Sequence, residues 1–162
     1  LIGVLAIKKG YVKMLAISLF GAGLFMGVFG LRENVVLICV SGFLFFAMMP
    51  FANTALDVLV RNNIENSVQG RAWGLIGVIS QLGYVAAYAL SGVLADYVFT
   101  PMLVEDGVLA DSVGKFFGTG VGRGTGLLIS LAGVMLAVCA IVVICAKSVR
   151  KLENSKVSEN NT

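Results

Sequence analysis

The strongest constraint on this chain is a set of four apolar stretches, each long enough to cross a lipid bilayer. They cover residues 12–31, 34–60, 72–96 and 124–146. The charged residues inside them are Lys13, Asp57 and Asp96, and each lies close to one end of its stretch. A spanning helix needs about 20 predominantly apolar residues. The sequence therefore predicts an all-α integral membrane protein, built as a polytopic helix bundle.

Composition supports lipid as the solvent for most of the chain. Charged residues make up 13% of the sequence and hydrophobic residues 58%, with a mean hydropathy of +0.94. Soluble domains carry roughly 25% charged residues. We expect one membrane domain over residues 1–152 and a polar, disordered tail over residues 153–162. The sequence has no basic patch with interleaved aromatic residues, so nucleic acid is not an expected partner.

The residue types that most catalysis and metal binding require are scarce. Histidine, the commonest general base and metal ligand, does not occur in the sequence. Cys39, Cys139 and Cys145 lie in apolar stretches without the spacing of a zinc or redox site, and we expect them to be small core residues. The spans contain no carboxylate cluster and no nucleophile–base pair. We therefore expect no enzymatic activity, no metal and no cofactor.

Lysine and arginine residues are distributed unevenly between the two ends of the predicted helices. Nine of them lie at the ends that adjoin residues 8–13, 61–71 and 147–156, and three lie at the opposite ends. Positive charges accumulate on the cytoplasmic side of membrane proteins. The sequence therefore predicts a multi-pass protein of the cell membrane whose C-terminus and whose segment around Lys8 are cytoplasmic.

The first residues of the chain form an incomplete apolar segment. Residues 1–7 are too short to span a bilayer, and Lys8 and Lys9 follow them, whereas the basic residues of a signal peptide precede its apolar run. We expect residues 1–7 to be the end of a helix that begins upstream. On this interpretation the sequence is a fragment of a longer protein.

The segment between the third and fourth stretches is predicted to contain a short helix over about residues 100–117. Thr100 is a suitable N-cap and Pro101 a suitable first-turn residue. Apolar residues then recur at helical spacing, at Leu109, Val113, Phe116 and Phe117. An amphipathic helix of this kind lies in the membrane interface. The alternative is a soluble loop that packs on the ends of the spanning helices.

Small residues form regular stripes along two of the predicted helices. The third stretch carries one at every fourth position, at Gly83, Ala87, Ser91 and Ala95. The first carries Gly23 and Gly27 at the same spacing. Small residues let helix backbones approach closely in a membrane. The stripes predict helix–helix contact, either as ordinary packing or as a surface that slides during a conformational change.

The most specific segment of the sequence is residues 53–74, which contains the triplet Gln69-Gly70-Arg71 at the start of a glycine-rich helix. It resembles the loop between the tenth and eleventh helices of major facilitator superfamily exporters, and more narrowly the bacterial branch of macrolide-efflux-like permeases. The segment Gly92-Val-Leu-Ala-Asp96 also fits this pattern. Residues 3–10 are similar to the superfamily's loop signature at Gly3, Lys8 and Gly10, although Ile7 stands where the signature has aspartate.

The resemblance implies a fold and a partner. The four stretches would be helices nine to twelve of a major facilitator fold, and residues 1–7 the end of helix eight. A substrate cavity in this superfamily forms between two six-helix halves, so the N-terminal half of the same transporter is an expected partner, beside the lipid bilayer and a small-molecule substrate. The predicted cytoplasmic C-terminus agrees with the superfamily.

Two groups of residues are candidates for lining that cavity. Polar side chains inside membrane segments are costly and frequently functional, and methionines provide an adaptable apolar lining. The first group is on the second stretch, at Met48, Met49 and Asn53, and the second is on the third stretch, at Gln81, Tyr84 and Tyr88. Two alternatives remain open: Asn53 is simply hydrated near the interface, and the Gln81 group forms hydrogen bonds to neighbouring helices.

Asp57, Arg61 and Arg71 are candidates for a charge cluster at a cytoplasmic gate. Asp57 and Arg61 are four residues apart on one helix, with the acid nearer the N-terminus, which is the favourable order. Arg71 begins the next helix after nine intervening residues. The alternative is a solvated cluster that only satisfies the positive-inside rule.

The resemblance implies secondary active export of small, amphipathic, drug-like or macrolide-like compounds by alternating access, with proton-coupled antiport as the family's usual driving force. The alternative function is a non-transport scaffold or a subunit of a membrane complex. An upstream reading frame that encodes about eight more spans favours transport, whereas a start codon just before Leu1 favours the scaffold.

Overall fold

Four long helices make up the fold of the protein, for which we use a computed structural model that describes residues 10–31, 34–103, 117 and 122–146. The helices are α1 (Tyr11–Phe29), α2 (Val35–Asn63), α3 (Asn66–Val93) and α4 (Arg123–Cys145). Each is long and apolar enough to cross a membrane, counting α3 together with its extension to Met102. The prediction of an all-α bundle with four membrane-length helices is confirmed, and each predicted span overlaps its helix over most of its length.

Local sequence explains where three of the helices begin. The Asn34 side chain accepts hydrogen bonds from the backbone N–H groups of Val36 and Leu37, at 3.0 and 3.3 Å, and so caps α2. The helices α1 and α4 each follow a glycine with positive φ, Gly10 at 101° and Gly122 at 90°. A residue with a Cβ adopts this left-handed conformation only with strain, so glycine fixes the direction from which the chain enters each helix.

The C-terminal end of α3 differs from the sequence prediction. The helix does not stop before Thr100; it widens into a π-helical segment, Leu94–Phe99, and ends with one α turn, Thr100–Met102. The N–H of Thr100 bonds to the carbonyl of Ala95, five residues back, and Pro101 has no N–H to offer. Thr100 is therefore an interior helical residue and not the N-cap of a new helix. The rest of the predicted interfacial helix lies outside the described residues, apart from Phe117.

α1 is the central helix, with α2 on one side and α4 on the other. Both neighbours run antiparallel to it, because later residues of α1 meet earlier residues of each neighbour. Gly21 approaches Met48 and Phe29 approaches Gly42 of α2, and Gly23 approaches Ala137 and Gly27 approaches Ser130 of α4. The buried side chains among the described residues are mostly small, at Val12, Ala16, Ser18, Ala22, Ser41, Ala52, Ala55, Leu59, Ala95, Leu103, Ser130 and Ala140. Large apolar side chains point outward instead. This distribution suits a lipid solvent, because burying large apolar groups inside the bundle gives little advantage when lipid is equally apolar.

The closest contact in the bundle is between α1 and α4. A Cβ built on Gly23 would lie 2.6 Å from the amide nitrogen of Ala137 and 2.6 Å from the carbonyl oxygen of Gly133. The hydroxyl of Ser130 donates a hydrogen bond of 2.8 Å to the carbonyl of Gly27 across the same interface. The predicted contact role of the Gly23 and Gly27 stripe is confirmed. Here glycine is required by the closeness of the two backbones, not by their conformation.

α3 lies apart from this three-helix unit. None of its residues from Asn66 to Val93 is buried. It contacts α2 little, and it meets α4 near its far end, where Phe99 and Thr100 lie against Gly124. Of the small-residue stripe predicted on this helix, Ala95 is buried, whereas a Cβ at Gly83 would have no neighbouring atom within 4 Å outside its own helix backbone, and Ala87 and Ser91 are exposed. Within the described residues, the expected helix contact along this stripe is therefore limited to Ala95.

Candidate functional site

A hydrogen-bonded turn at Gln69 joins α2 to α3. The side-chain nitrogen Nε2 of Gln69 lies 3.2 Å from the carbonyl oxygen of Arg61, 3.1 Å from that of Ile64, and 3.1 Å from Oδ1 of Asn66. The last carbonyls of a helix lack partners within that helix. Gln69 supplies donors to this end of α2 from the first turn of α3. It therefore fixes how the two helices leave their shared turn.

The resemblance to exporters singles out Gln69 but assigns it no role. The signal that identifies its role is local: an amide-bearing side chain lies in the first turn of one helix, a few residues after the end of the preceding helix. A glutamine carries two N–H donors and can serve two carbonyls at once. Gly70, the next residue, has no other atom within 4 Å of the position its Cβ would occupy, so close packing does not explain it.

The three candidate gate residues lie around this turn. Arg61 is in the last turn of α2, and Asp57 is one turn earlier. Arg71 is in the second turn of α3, so the prediction that it begins this helix after nine intervening residues is wrong: α2 continues to Asn63 and α3 begins at Asn66. All three side chains are exposed. Among the described residues, no ion pair within 4 Å joins Asp57 to either arginine. Arg61 is placed where the negative end of the α2 dipole favours a cation. A gating role for the three residues remains a prediction.

The second candidate group forms a polar face on α3. Gln81, Tyr84 and Tyr88 share one side of the helix because they are spaced by three and four residues. Their side chains are exposed, Tyr84 by 59% and Tyr88 by 76%. Gln81 lies near the middle of the membrane-length helix Asn66–Met102. Within the described part of the chain, the side chains of these three residues form no hydrogen bond.

The first candidate group is on α2 and consists of Met48, Met49 and Asn53. The sulfur of Met48 lies 3.2 Å from the position that a Cβ on Gly21 would occupy, so this side chain packs on α1. Met49 is half-buried and Asn53 is exposed. Because α3 diverges from α2, the structure does not bring Met48 together with the polar face of α3. A cavity-lining role for either group remains a prediction.

Two apolar depressions flank α1 along its contact with α2. The inner depression is the one at the N-terminal end of α1, and it has a volume of about 440 Å³. It is lined by residues near the start of α1 and in the second half of α2: Gly10, Lys13, Met14, Ile17, Ser18, Met48 and Phe51. The outer one, about 210 Å³, lies at the other end of the same contact and is lined by apolar residues that include Phe29, Phe45 and Phe46. The rings of Phe45 and Phe46 meet edge to face with centroids 5.4 Å apart. Both depressions suit apolar groups.

No protein-family description, curated protein or solved structure matches this chain.

The resemblance to major facilitator exporters therefore depends on the residues quoted for it and remains a prediction. The chemistry of the described residues adds two facts. No three His, Cys, Asp or Glu side chains in that part of the chain come close enough to hold a metal ion. Cys39, Cys139 and Cys145 are free thiols with exposed side chains, so the expectation that they are small core residues is wrong. A free thiol behaves as a small apolar group, so these exposed positions are compatible with a lipid environment.

Proposed function

We propose that this chain forms part of the membrane domain of a secondary transporter of the major facilitator type. The transporter exports small amphipathic compounds by alternating access, coupled to proton entry. The observation that carries the proposal is α3, a membrane-length helix with an unburied polar face at Gln81, Tyr84 and Tyr88. The four-helix architecture and the excess of positive charge at one end agree with it.

A polar face at this position requires a polar environment. A glutamine side chain near the bilayer centre cannot hydrogen-bond to lipid, and polar residues within spans face a bundle interior or a water-filled path. Gln81 is exposed and has no hydrogen bond among those formed by the described residues. A cavity between α3 and helices from another part of the transporter provides the missing partners. Substrate and water then share the surface of Gln81, Tyr84 and Tyr88.

The packing also separates three closely packed helices from a fourth that has few contacts with them. The α1–α4 contact brings two backbones together through Gly23 and Gly133 and is closed by the Ser130 hydrogen bond. α3 is attached to this unit through its turn to α2 and through its end at Thr100. Alternating access needs one element to rock against another around a fixed site. In this proposal α3 moves relative to the α1–α2–α4 unit.

Asp57, Arg61 and Arg71 form the cytoplasmic gate of the proposed transporter. In the present conformation they are exposed and unpaired with one another. An exposed ion pair contributes about 0.2–1 kcal/mol, enough to shift an equilibrium between two conformations by up to about fivefold. Asp57→Asn removes the acid while keeping its size. It should leave the amount of protein in the membrane unchanged and alter the labelling of cysteines introduced on the cytoplasmic side.

Transport is tested by the accumulation of ethidium and of a macrolide in an efflux-deficient bacterium that expresses the complete gene. The wild-type protein should lower accumulation, and a protonophore should restore it. Tyr84→Ala should raise accumulation several-fold, because it removes part of the polar face. Ile79→Ala is the matched control: Ile79 is similarly exposed, at 61%, but lies five residues away and so on the opposite side of α3 at about 100° per residue.

Two results would contradict the proposal. Accumulation that is the same with and without the wild-type protein would favour the scaffold or complex-subunit role. Equal effects of Tyr84→Ala and Ile79→Ala would show that the polar face of α3 has no special part in transport. Efflux that continues in the presence of a protonophore would leave export in place but refute the proton coupling.

A further inference from the structure

The inner depression between α1 and α2 combines an apolar groove with a positive charge at one end. Its apolar lining includes Met14 and Ile17 from α1, and Met48 and Phe51 from α2. Lys13 is an exposed lining residue, and it is near the start of α1. The volume of about 440 Å³ lies within the range of about 300–1,000 Å³ that is typical of small-molecule sites.

Lys13 is the one charged residue among the described residues that line the groove, and the Ser18 hydroxyl is already hydrogen-bonded within α1. The hydroxyl of Ser18 donates a hydrogen bond of 2.6 Å to the carbonyl of Met14, within α1, so it offers no donor to a ligand. No acidic residue occurs among the lining residues or in the first turn of α1. Lys13 is therefore not neutralised within the groove. The charge of the site is positive, and the positive end of the α1 dipole adds to it.

The groove lies near the end of the bundle where basic residues are concentrated. The turn between α2 and α3, which has Arg61 before it and Arg71 after it, is at this end because α1 and α2 are antiparallel. Lys8 and Lys9 precede α1 in the sequence. By the positive-inside rule this end faces the cytoplasmic leaflet, which carries the anionic phospholipids.

We infer that this groove binds one anionic phospholipid of the cytoplasmic leaflet, with its phosphate at Lys13 and an acyl chain along Met14, Ile17, Met48 and Phe51. Charge complementarity selects the anionic lipid over a zwitterionic one, since the groove offers a cation and no carboxylate for a choline or ethanolamine head. The two flexible methionine side chains suit an acyl chain that has no fixed shape. This inference does not depend on the proposed transport function.

Photo-crosslinking of the full-length protein in phosphatidylcholine nanodiscs tests the site. The probe is phosphatidylglycerol with a photoreactive group on an acyl chain, and the comparison probe is phosphatidylcholine with the same group. We expect the anionic probe to label peptides that contain residues 14–17 and 48–51 in clear excess over the zwitterionic probe. Lys13→Gln should lower this labelling about fivefold, which corresponds to the loss of one basic residue near a membrane surface, whereas Lys13→Arg should preserve it.

A second pair of variants tests the groove separately from the charge. Ile17→Trp fills the groove and keeps Lys13, so labelling by the anionic probe should fall. Leu24→Trp adds the same bulk to a different depression, between α1 and α4, and labelling at the inner groove should persist. Lys13 and Ile17 are exposed, so neither substitution should prevent folding.

Three outcomes would overturn the inference. Equal labelling by the two probes would show that the groove does not select for charge. Competition by excess inorganic phosphate would indicate a site for a free phosphate group and not for a lipid. Absence of labelling by either probe in the wild-type protein would show that the groove does not bind a lipid.

Discussion

Replacing Gly23 by alanine should weaken the bundle, although alanine is the better helix former. The Cβ of the new residue would lie 2.6 Å from two backbone atoms of α4, and ordinary van der Waals contact begins at 3.4 Å. α1 and α4 would have to move apart by about 0.8 Å to remove the overlap. Backbone atoms cannot rotate away as a flexible side chain can. The two helices would therefore have to separate along their whole interface.

The magnitude follows from what that separation disrupts. A gap of about 0.5–1 Å forfeits roughly a quarter to a half of the dispersion energy of each atom pair across the interface. The Ser130–Gly27 hydrogen bond, now 2.8 Å, would lengthen beyond hydrogen-bonding distance. Interhelical hydrogen bonds in membranes contribute about 0.6 kcal/mol on average. Overpacking costs typically about 1–3 kcal/mol, and the helix-propensity gain of at most about 1 kcal/mol offsets part of it, so we expect a net loss of about 1–2 kcal/mol.

Unfolding by SDS in mixed micelles, followed by circular dichroism, measures this loss. Gly83→Ala is the matched control, because Gly83 also lies in a membrane-length helix but has no other atom within 4 Å of the position its Cβ would occupy. It should be neutral or slightly stabilising. If Gly23→Ala unfolds at the same SDS fraction as Gly83→Ala, the close approach of α1 and α4 is not a source of stability.

Three further predictions concern other parts of the chain. Reporter fusions at Asp106 and Thr162 should give opposite signals because the two sites are predicted on opposite sides of the membrane; equal signals would refute that topology. Gln69→Glu keeps the size of the side chain but removes its N–H donors, so it should cost about 1 kcal/mol and speed amide hydrogen exchange in the α2–α3 turn, and unchanged exchange would argue against the cap. Phe117→Ser should lower stability by about 1 kcal/mol, because the half-buried ring covers part of the groove between α1 and α4, without reducing the amount of protein inserted in the membrane. Loss of insertion would show that Phe117 belongs to the core.

Features that depend on nearby residues were predictable from the sequence. Four membrane-length helices follow from uncharged apolar runs of sufficient length, since the bilayer imposes both requirements on any spanning segment. The close contact at Gly23 and Gly27 was predictable for a related reason: regularly spaced small residues leave a helix face without side chains. Both predictions could be made without knowing which helices are neighbours.

The π-helical end of α3 was not predictable in this way. Thr100 and Pro101 form a good helix start when considered alone. In the structure the preceding helix continues through them, because a π turn lets the Thr100 N–H reach the carbonyl of Ala95 while the end of the helix packs on Gly124. Tertiary contact with α4 prevailed over the local preference.

The sequence alone determined that the chain forms four apolar helices of membrane length and which ends carry positive charge. Only the tertiary structure decided which helices are neighbours: α1 packs between α2 and α4, Met48 faces α1, and α3 leaves its polar face uncovered. The physical reason is the solvent. In lipid, an apolar side chain is stable on either side of a helix, so hydropathy does not distinguish a buried face from an exposed one. Neighbours are selected by backbone approach and by hydrogen bonds such as that from Ser130 to Gly27, which joins residues 103 positions apart.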